Sequence, residues 1–251
     1  SYIVISGNDG NVLEAENEHE VRSIASISKI MTAVVALENG DYIDQWIIGD
    51  EVTNVTGSMI WIQKGQQVSM RSLLYGMMLK SGNDAAVAIA HRVGGGSVEK
   101  FIQMMNEKAV ALGMKDTEFH NPNGMDVEEE GNYSTAYDMA VLMQYAMTLP
   151  QFREIVATQT AQVQALNSDE ILYFSNHNKM LSLYEGANGI KTGFTKSTGR
   201  CLVSSAQRDG MEFIAVTLND PNDWNDHAEM LDYAFSEHYP KKLIEQGDTV
   251  K

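Results

Sequence analysis

Ser26-Ile27-Ser28-Lys29 sets a hydroxyl three residues before an amine, and on a helix that spacing puts both on one face, one turn apart. A serine hydroxyl is a weak nucleophile that needs a base, and a lysine serves once burial and a neighbouring cation lower its pKa. A helix start also leaves backbone N–H groups free to meet developing negative charge, so the Ser26 amide is a candidate oxyanion donor. The chemistry expected of this pair is acyl transfer through an ester on Ser26.

Spacing alone does not select the pair. Ser97-Val98-Glu99-Lys100 repeats it, but follows Gly94-Gly95-Gly96 and reads as a helix cap. Ser-x-Asn also occurs twice. Ser6-Gly7-Asn8 falls in a turn, whereas Ser81-Gly82-Asn83 lies between two expected helices, where it can line a cleft. Lys191-Thr192-Gly193 occurs once, late in the chain, against roughly 0.05 occurrences expected by chance at average residue frequencies. No Ser-x-Asn follows Ser97, so Ser26 heads the ordered set.

The elements that must position these groups are legible in the periodicity. Residues 2–6 and 12–15 flank Gly7-Asn8-Asp9-Gly10-Asn11, and residues 201–208 and 211–219 flank Asp209-Gly210, so a hairpin is expected near each end. Residues 26–38 carry apolar positions at helical spacing and stop at Asn39-Gly40, which puts Ser26 at a helix start. Ser69, Asn83 and Ser97 can open helices reaching Lys80, about Val93 and about Leu112. A further helix is expected over 134–149, ending at Pro150, and a last one over 224–238. The simplest packing joins both hairpins and residues 189–195 in one antiparallel sheet, with the first and last helices on one face and the helical block on the other.

The 251 residues, 43% of them hydrophobic, suit one large domain or two small ones with a substantial core. A formal charge of −16 repels nucleic acid and anionic lipid, which discounts both as partners. Cys201 is the only cysteine, so no internal disulfide or cysteine-based zinc cluster can form, and it reads as a core residue. The six histidines lack metal-ligand spacing, so no metal or other cofactor is expected. Neither a Gly-x-Ser-x-Gly elbow nor a phosphate-binding Gly-x-x-x-x-Gly-Lys-Ser/Thr loop occurs. The opening Ser1-Tyr2-Ile3-Val4-Ile5 reads as that of a mature or trimmed chain.

Taken in order, the three motifs resemble the set found in class A β-lactamases and penicillin-binding proteins, with Gly82 in place of the middle Asp. The chain is similar in particular to the low-molecular-weight penicillin-binding proteins that are D-alanyl-D-alanine carboxypeptidases, peptidase family S11. That likeness extends through Ile24-Ala25-Ser26-Ile27-Ser28-Lys29-Ile30-Met31-Thr32-Ala33 and Leu73-Leu74-Tyr75-Gly76. It continues through Asn121-Pro122-Asn123-Gly124-Met125, Tyr133-Ser134-Thr135-Ala136, Asn176-His177-Asn178-Lys179 and Gly189-Ile190-Lys191-Thr192-Gly193-Phe194-Thr195.

The resemblance implies an α/β, β-lactamase/transpeptidase-like fold: an antiparallel sheet of about five strands flanked by helices, with a helical subdomain. It implies a catalytic domain over 1–245, a mainly helical insertion at about 55–155, and the start of a C-terminal extension at 246–251. By the same likeness Ser26 attacks the D-Ala-D-Ala carbonyl, Lys29 takes its proton and Ser81 relays a proton to the leaving D-Ala. Asn83 bonds the substrate backbone and Lys29, Lys191 supplies positive potential, and Thr192 binds the terminal carboxylate. The Ser26 and Phe194 amides form the oxyanion hole, and Gly193 lets the strand approach.

Many family members place a carboxylate-binding arginine near the start of the last helix, where this chain reads Asn222-Asp223-Trp224-Asn225-Asp226-His227. Arg200 is the candidate substitute. The partners implied are a peptidoglycan stem peptide ending in D-Ala-D-Ala and inhibitory β-lactams. An extracytoplasmic location is implied too, with membrane anchoring through a C-terminal segment outside this chain. Two rivals stay open: a β-lactamase drawing its deacylating glutamate from Glu128-Glu129-Glu130-Gly131-Asn132, and a non-catalytic penicillin-binding or peptidoglycan-sensing module.

Overall fold

The computed structural model describes residues 1–125, 131–169 and 171–238. Strands β1 (Tyr2–Ser6) and β2 (Val12–Glu16) form the first hairpin. The two-residue β3 (Arg22–Ser23) leads through a 3-10 turn, Ala25–Ser28, into helix α1 (Lys29–Asn39). A short pair, β4 (Gln45–Ile47) with β5 (Gln67–Ser69), precedes α2 (Met70–Lys80), α3 (Asn83–Val93) and α4 (Val98–Ala111). Strand β6 (Tyr133–Ser134) pairs with β3 and is followed by α5 (Ala136–Ala146) and α6 (Pro150–Ala157). A second hairpin, β7 (Thr160–Gln164) with β8 (Ile171–Ser175), and the single turn α7 (Met180–Leu183) lead to β9 (Ala187–Thr195). Then come β10 (Gly199–Arg208), β11 (Met211–Leu218) and α8 (Asp223–Glu237).

The main sheet is five-stranded and antiparallel, in the order β2-β1-β11-β10-β9. Both expected hairpins lie in it, joined by pairing of β1 with β11 from Tyr2 opposite Thr217 to Ser6 opposite Phe213. Period-two alternation gives the sheet two buried faces. Ile3, Ile5, Val203, Ile214 and Val216 pack on the helical side, while Val4, Leu202, Phe213 and Ala215 pack under Met230, Leu231 and Ala234 of α8. Cys201 is a buried free thiol in the first of these cores.

Three expectations need correction. Helix α1 lies in the helical layer, not beside α8. Eight of its eleven residues are buried, so it has no polar face to give to solvent and is packed all round. The α-helix begins at Lys29 rather than Ser26, which sits in the preceding 3-10 turn. The helix expected over 134–149 starts at Ala136, with Thr135 accepting the Asp138 amide. Pro150 opens α6 instead of only ending its predecessor, because at a first helical position its missing N–H costs nothing and its φ is already helical. The β7–β8 hairpin was not anticipated from the sequence.

Candidate active site

The turn that carries Ser26 is shaped by one unusual backbone angle and two contacts on the Ala25 carbonyl. Ala25 has a positive φ of +45°, uncommon for a residue with a Cβ. Its carbonyl accepts from Ser28 Oγ at 2.7 Å. Gly124, at φ +77°, packs so close that a Cβ there would fall 1.9 Å from the same oxygen. In 3-10 geometry residues three apart eclipse, and Ser26 Oγ lies 2.9 Å from Lys29 Nζ.

Lys29 is completely buried. Its other partners are Asn83 Oδ1 at 2.8 Å and the Asn123 carbonyl. The amide of Asn83 is oriented by its Nδ2, which donates to the Thr56 carbonyl at 2.7 Å. Both of these neighbours can only accept. A neutral amine has two N–H bonds and one lone pair, so with both hydrogens engaged the lone pair is left for the Ser26 hydroxyl proton. Burial, then the positive charge of Lys191, hold Lys29 well below the usual lysine pKa, opposed by Asp84. That favours the neutral amine.

Lys191 is itself buried and brought down to about 7 by desolvation. Its Nζ donates to the Thr192 carbonyl at 2.7 Å.

Asn123 lies within a stretch that carries the family likeness but not within the three catalytic motifs; its carbonyl is part of the lysine's cage. The signal is the Asn121-Pro122-Asn123-Gly124 turn. Asn121 Oδ1 accepts the Gly124 amide at 2.7 Å, and Thr32 Oγ1 of α1 donates to the Pro122 carbonyl at 2.6 Å. That turn is thereby tied to the helix bearing the base.

Ser81 terminates α2 in the left-handed conformation, φ +60°. Its buried Oγ has no hydrogen-bond partner among the described residues, leaving it free for a ligand. At Gly82, which departs from the expected Asp, a Cβ would stand 3.0 Å from Ile60 Cγ2 and 3.1 Å from Asp84 Oδ1, so a side chain there would need both neighbours to shift.

Strand β9 forms the other wall. At Gly193 a Cβ would lie 3.2 Å from the Ser26 amide nitrogen and 3.0 Å from the Ile24 carbonyl, so the strand runs nearly against the turn. Phe194 sits opposite Arg200, whose carbonyl accepts the Asp220 amide on the β11 side. A residue's N–H and C=O point the same way in an antiparallel strand, so Phe194 forms a non-hydrogen-bonded pair with Arg200. Its N–H therefore points off the free edge of β9.

Ser26, Ser81, Thr192, Gly193, Phe194 and Arg200 line one cavity of about 370 Å³ with Ser58, His177, Lys179, Asp223 and Trp224. Lys29, Asn83 and Lys191 are buried and do not line it themselves; Lys29 meets it through Ser26 Oγ. Arg200 bonds Asp223 at 2.8 Å and spans the Trp224 ring at 5.7 Å. The last helix thus supplies an acid that holds an arginine from β10, rather than an arginine of its own. Glu128, Glu129 and Glu130, on which the β-lactamase reading depends, lie outside the described residues, as do 239–251.

The D-alanyl-D-alanine carboxypeptidase family, Peptidase S11, matches residues 1–222. The chain is 34% identical over 258 residues to D-alanyl-D-alanine carboxypeptidase DacF of Bacillus subtilis, covering all of this chain and 65% of that protein. It is 30% identical to DacB2 of Mycobacterium tuberculosis, over 94% of this chain and 82% of that one. Against DacA of Escherichia coli identity is 33%, over 87% of this chain and 55% of the relative. The solved D-alanyl-D-alanine carboxypeptidase of Mycobacterium tuberculosis superposes with a TM-score of 0.88 at 29% identity, over 94% of this chain and 90% of that one. The Streptomyces K15 DD-transpeptidase gives 0.88 at 32%, over 94% and 96%. With the expected motifs gathered round one cavity on this fold, the chain belongs to the D-alanyl-D-alanine carboxypeptidase family, peptidase S11.

Proposed function

We propose that the protein is a serine D-Ala-D-Ala carboxypeptidase that removes the terminal D-Ala from peptidoglycan stem peptides and is acylated by β-lactams. What supports this is the cage round Lys29: two acceptors occupy its hydrogens and the Ser26 hydroxyl faces the remaining position. Lys29 takes the Ser26 proton as Oγ bonds to the scissile carbonyl carbon. The oxyanion is met by the amides of Ser26 and Phe194. As the C–N bond breaks, Ser81 passes a proton to the leaving D-Ala amine. Water then hydrolyses the ester and frees Ser26. Asn83 holds the substrate backbone, Lys191 contributes positive potential, and Thr192 with Arg200 receives the terminal carboxylate.

Residues 1–245 are read as the catalytic domain with a helical insertion at about 55–155. Its place of action is outside the cytoplasmic membrane, with anchoring through a C-terminal extension. Among the described residues no helix is long and apolar enough to cross a membrane. The deciding experiment measures D-Ala release from diacetyl-Lys-D-Ala-D-Ala by wild type and Ser26→Ala, alongside the mass shift on Ser26 after benzylpenicillin. Release by wild type alone, with a covalent adduct on Ser26, is expected. Rapid penicillin turnover without D-Ala release would identify a β-lactamase, and an unmodified Ser26 a binding module.

A further inference from the structure

Six non-glycine residues among those described have positive φ: Asn17, Ala25, Trp61, Ser81, Asp209 and Asn219. Three are Asn or Asp, which tolerate that conformation. Ala25 and Ser81 belong to the site. Trp61 is left, at φ +64°, where a bulky side chain is strained and a glycine would be at ease. Trp61 is also 74% exposed, although Ile60 and Ile62 on either side are buried. Neither the strain nor the exposure helps the fold.

Both are imposed by bonds to the site. Asp84 accepts the amides of Ile60 and Ile62, each at 3.1 Å, and so pinches Trp61 outward between them. Upstream, Asn83 donates its backbone amide to the Ser58 carbonyl and its Nδ2 to the Thr56 carbonyl, both at 2.7 Å. The strap from Thr56 to Ile62 is thus fastened at four points to the first two residues of α3, one of which holds Lys29. Ser58 lines the cavity, and Trp61 follows three residues later, so its Cα lies within about 11 Å of that of Ser58. Of the strap, Ser58 lines the cavity and Trp61 does not; Trp61 is the strap's large exposed apolar side chain.

We infer that Trp61 is a specificity-determining residue, whose indole receives the aliphatic side chain of the substrate residue that precedes D-Ala-D-Ala. This rests on the carboxypeptidase reading, in which Asn83 holds the substrate backbone upstream of the scissile bond. One extended residue adds about 3.5 Å, and a four-methylene side chain carries the rest of the reach. Apolar contact with an aromatic face is favourable because it removes both surfaces from water.

The test compares kcat/KM for diacetyl-Lys-D-Ala-D-Ala and acetyl-Ala-D-Ala-D-Ala. Wild type should prefer the long side chain about five- to tenfold. Trp61→Ala should bring the two within about twofold, and Trp61→Phe should keep most of the preference. Trp61→Gly should lose the preference while raising Tm, since glycine relieves the strained φ; this separates binding from folding. A wild type without preference, or a preference that survives Trp61→Ala, overturns the inference while leaving the peptidase reading intact. Absence of D-Ala release from both peptides by wild type would instead overturn the peptidase reading and the inference with it.

Discussion

Asn83 presents only its carbonyl oxygen to Lys29, at 2.8 Å, because its Nδ2 is committed to the Thr56 carbonyl. The pairing lets the lysine donate a hydrogen while neutral and adds no negative charge that would protonate it. Asn83→Asp should therefore be far more damaging than its size suggests. A carboxylate there favours the ammonium form and removes the lone pair, so acylation by benzylpenicillin at pH 7 should fall about 10²- to 10³-fold. The pH–rate profile should shift to higher pH. An Asn83→Asp enzyme with an unshifted profile would refute the neutral-lysine account.

The same chemistry sets the wild-type pH dependence. The Lys29 pKa is lowered by burial and by Lys191, and the reactive form is the deprotonated one. Acylation should rise with pH through that lowered pKa, whereas a protonated general acid would produce the opposite slope. Stopped-flow acylation between pH 5 and 9 distinguishes them.

Lys191 should weaken the fold it serves. Its folded pKa of about 7 lies below the unfolded value near 10.4, so between these the unfolded chain binds more protons and stability rises with pH. The penalty is complete below about pH 7 and fades toward pH 10.4, on the order of 3–5 kcal/mol. Lys191→Met should raise Tm at pH 6, gain much less at pH 9.5, and sharply lower acylation. Equal gains at both pH values would contradict this origin.

Gly193→Ala and Gly124→Ala should fail differently. At Gly193 the added methyl meets the Ser26 and Ile27 amide nitrogens at 3.2 and 3.1 Å, so strand and turn must part slightly. Acylation should drop roughly 10- to 100-fold, the scale of a disturbed oxyanion donor, with thermal unfolding little changed. At Gly124 a Cβ would overlap the Ala25 carbonyl, at a positive φ. That variant should lose stability by roughly 3 kcal/mol or more, seen as a lower midpoint in urea.

Arg200→Ala should raise KM for D-Ala-D-Ala peptides about tenfold, because the terminal carboxylate loses a charge-assisted partner. Asp223→Asn should act in the same direction more weakly, since it leaves the guanidinium in place but removes its anchor at 2.8 Å. A KM unchanged in both would assign the pair to the packing of α8 on β10.

Local chemistry made much of this legible. The Asp209-Gly210 hairpin, the caps at Ser69 and Ser97 and the stop at Gly40 depend on residues adjacent in the chain, and all stand where expected. Pro150 misled because proline both ends and opens helices, and the neighbouring residues do not say which. The β7–β8 strands are not legible in the sequence because Thr160–Gln164 carries few apolar residues and has only intermediate burial at alternate positions.

The sequence by itself determined the order Ser26, Lys29, Ser81, Asn83, Lys191, and with it the family chemistry, since those residue types at those spacings carry nucleophile, base and cation. Only the tertiary structure decided what makes the base a base. The Asn123 carbonyl lies 94 residues from Lys29 in the chain, and Asn83 lies 54 away. The burial that lowers the lysine pKa comes from packing α1 on every side. Burial and opposed acceptors are properties of a folded interior, made by residues that only folding brings together.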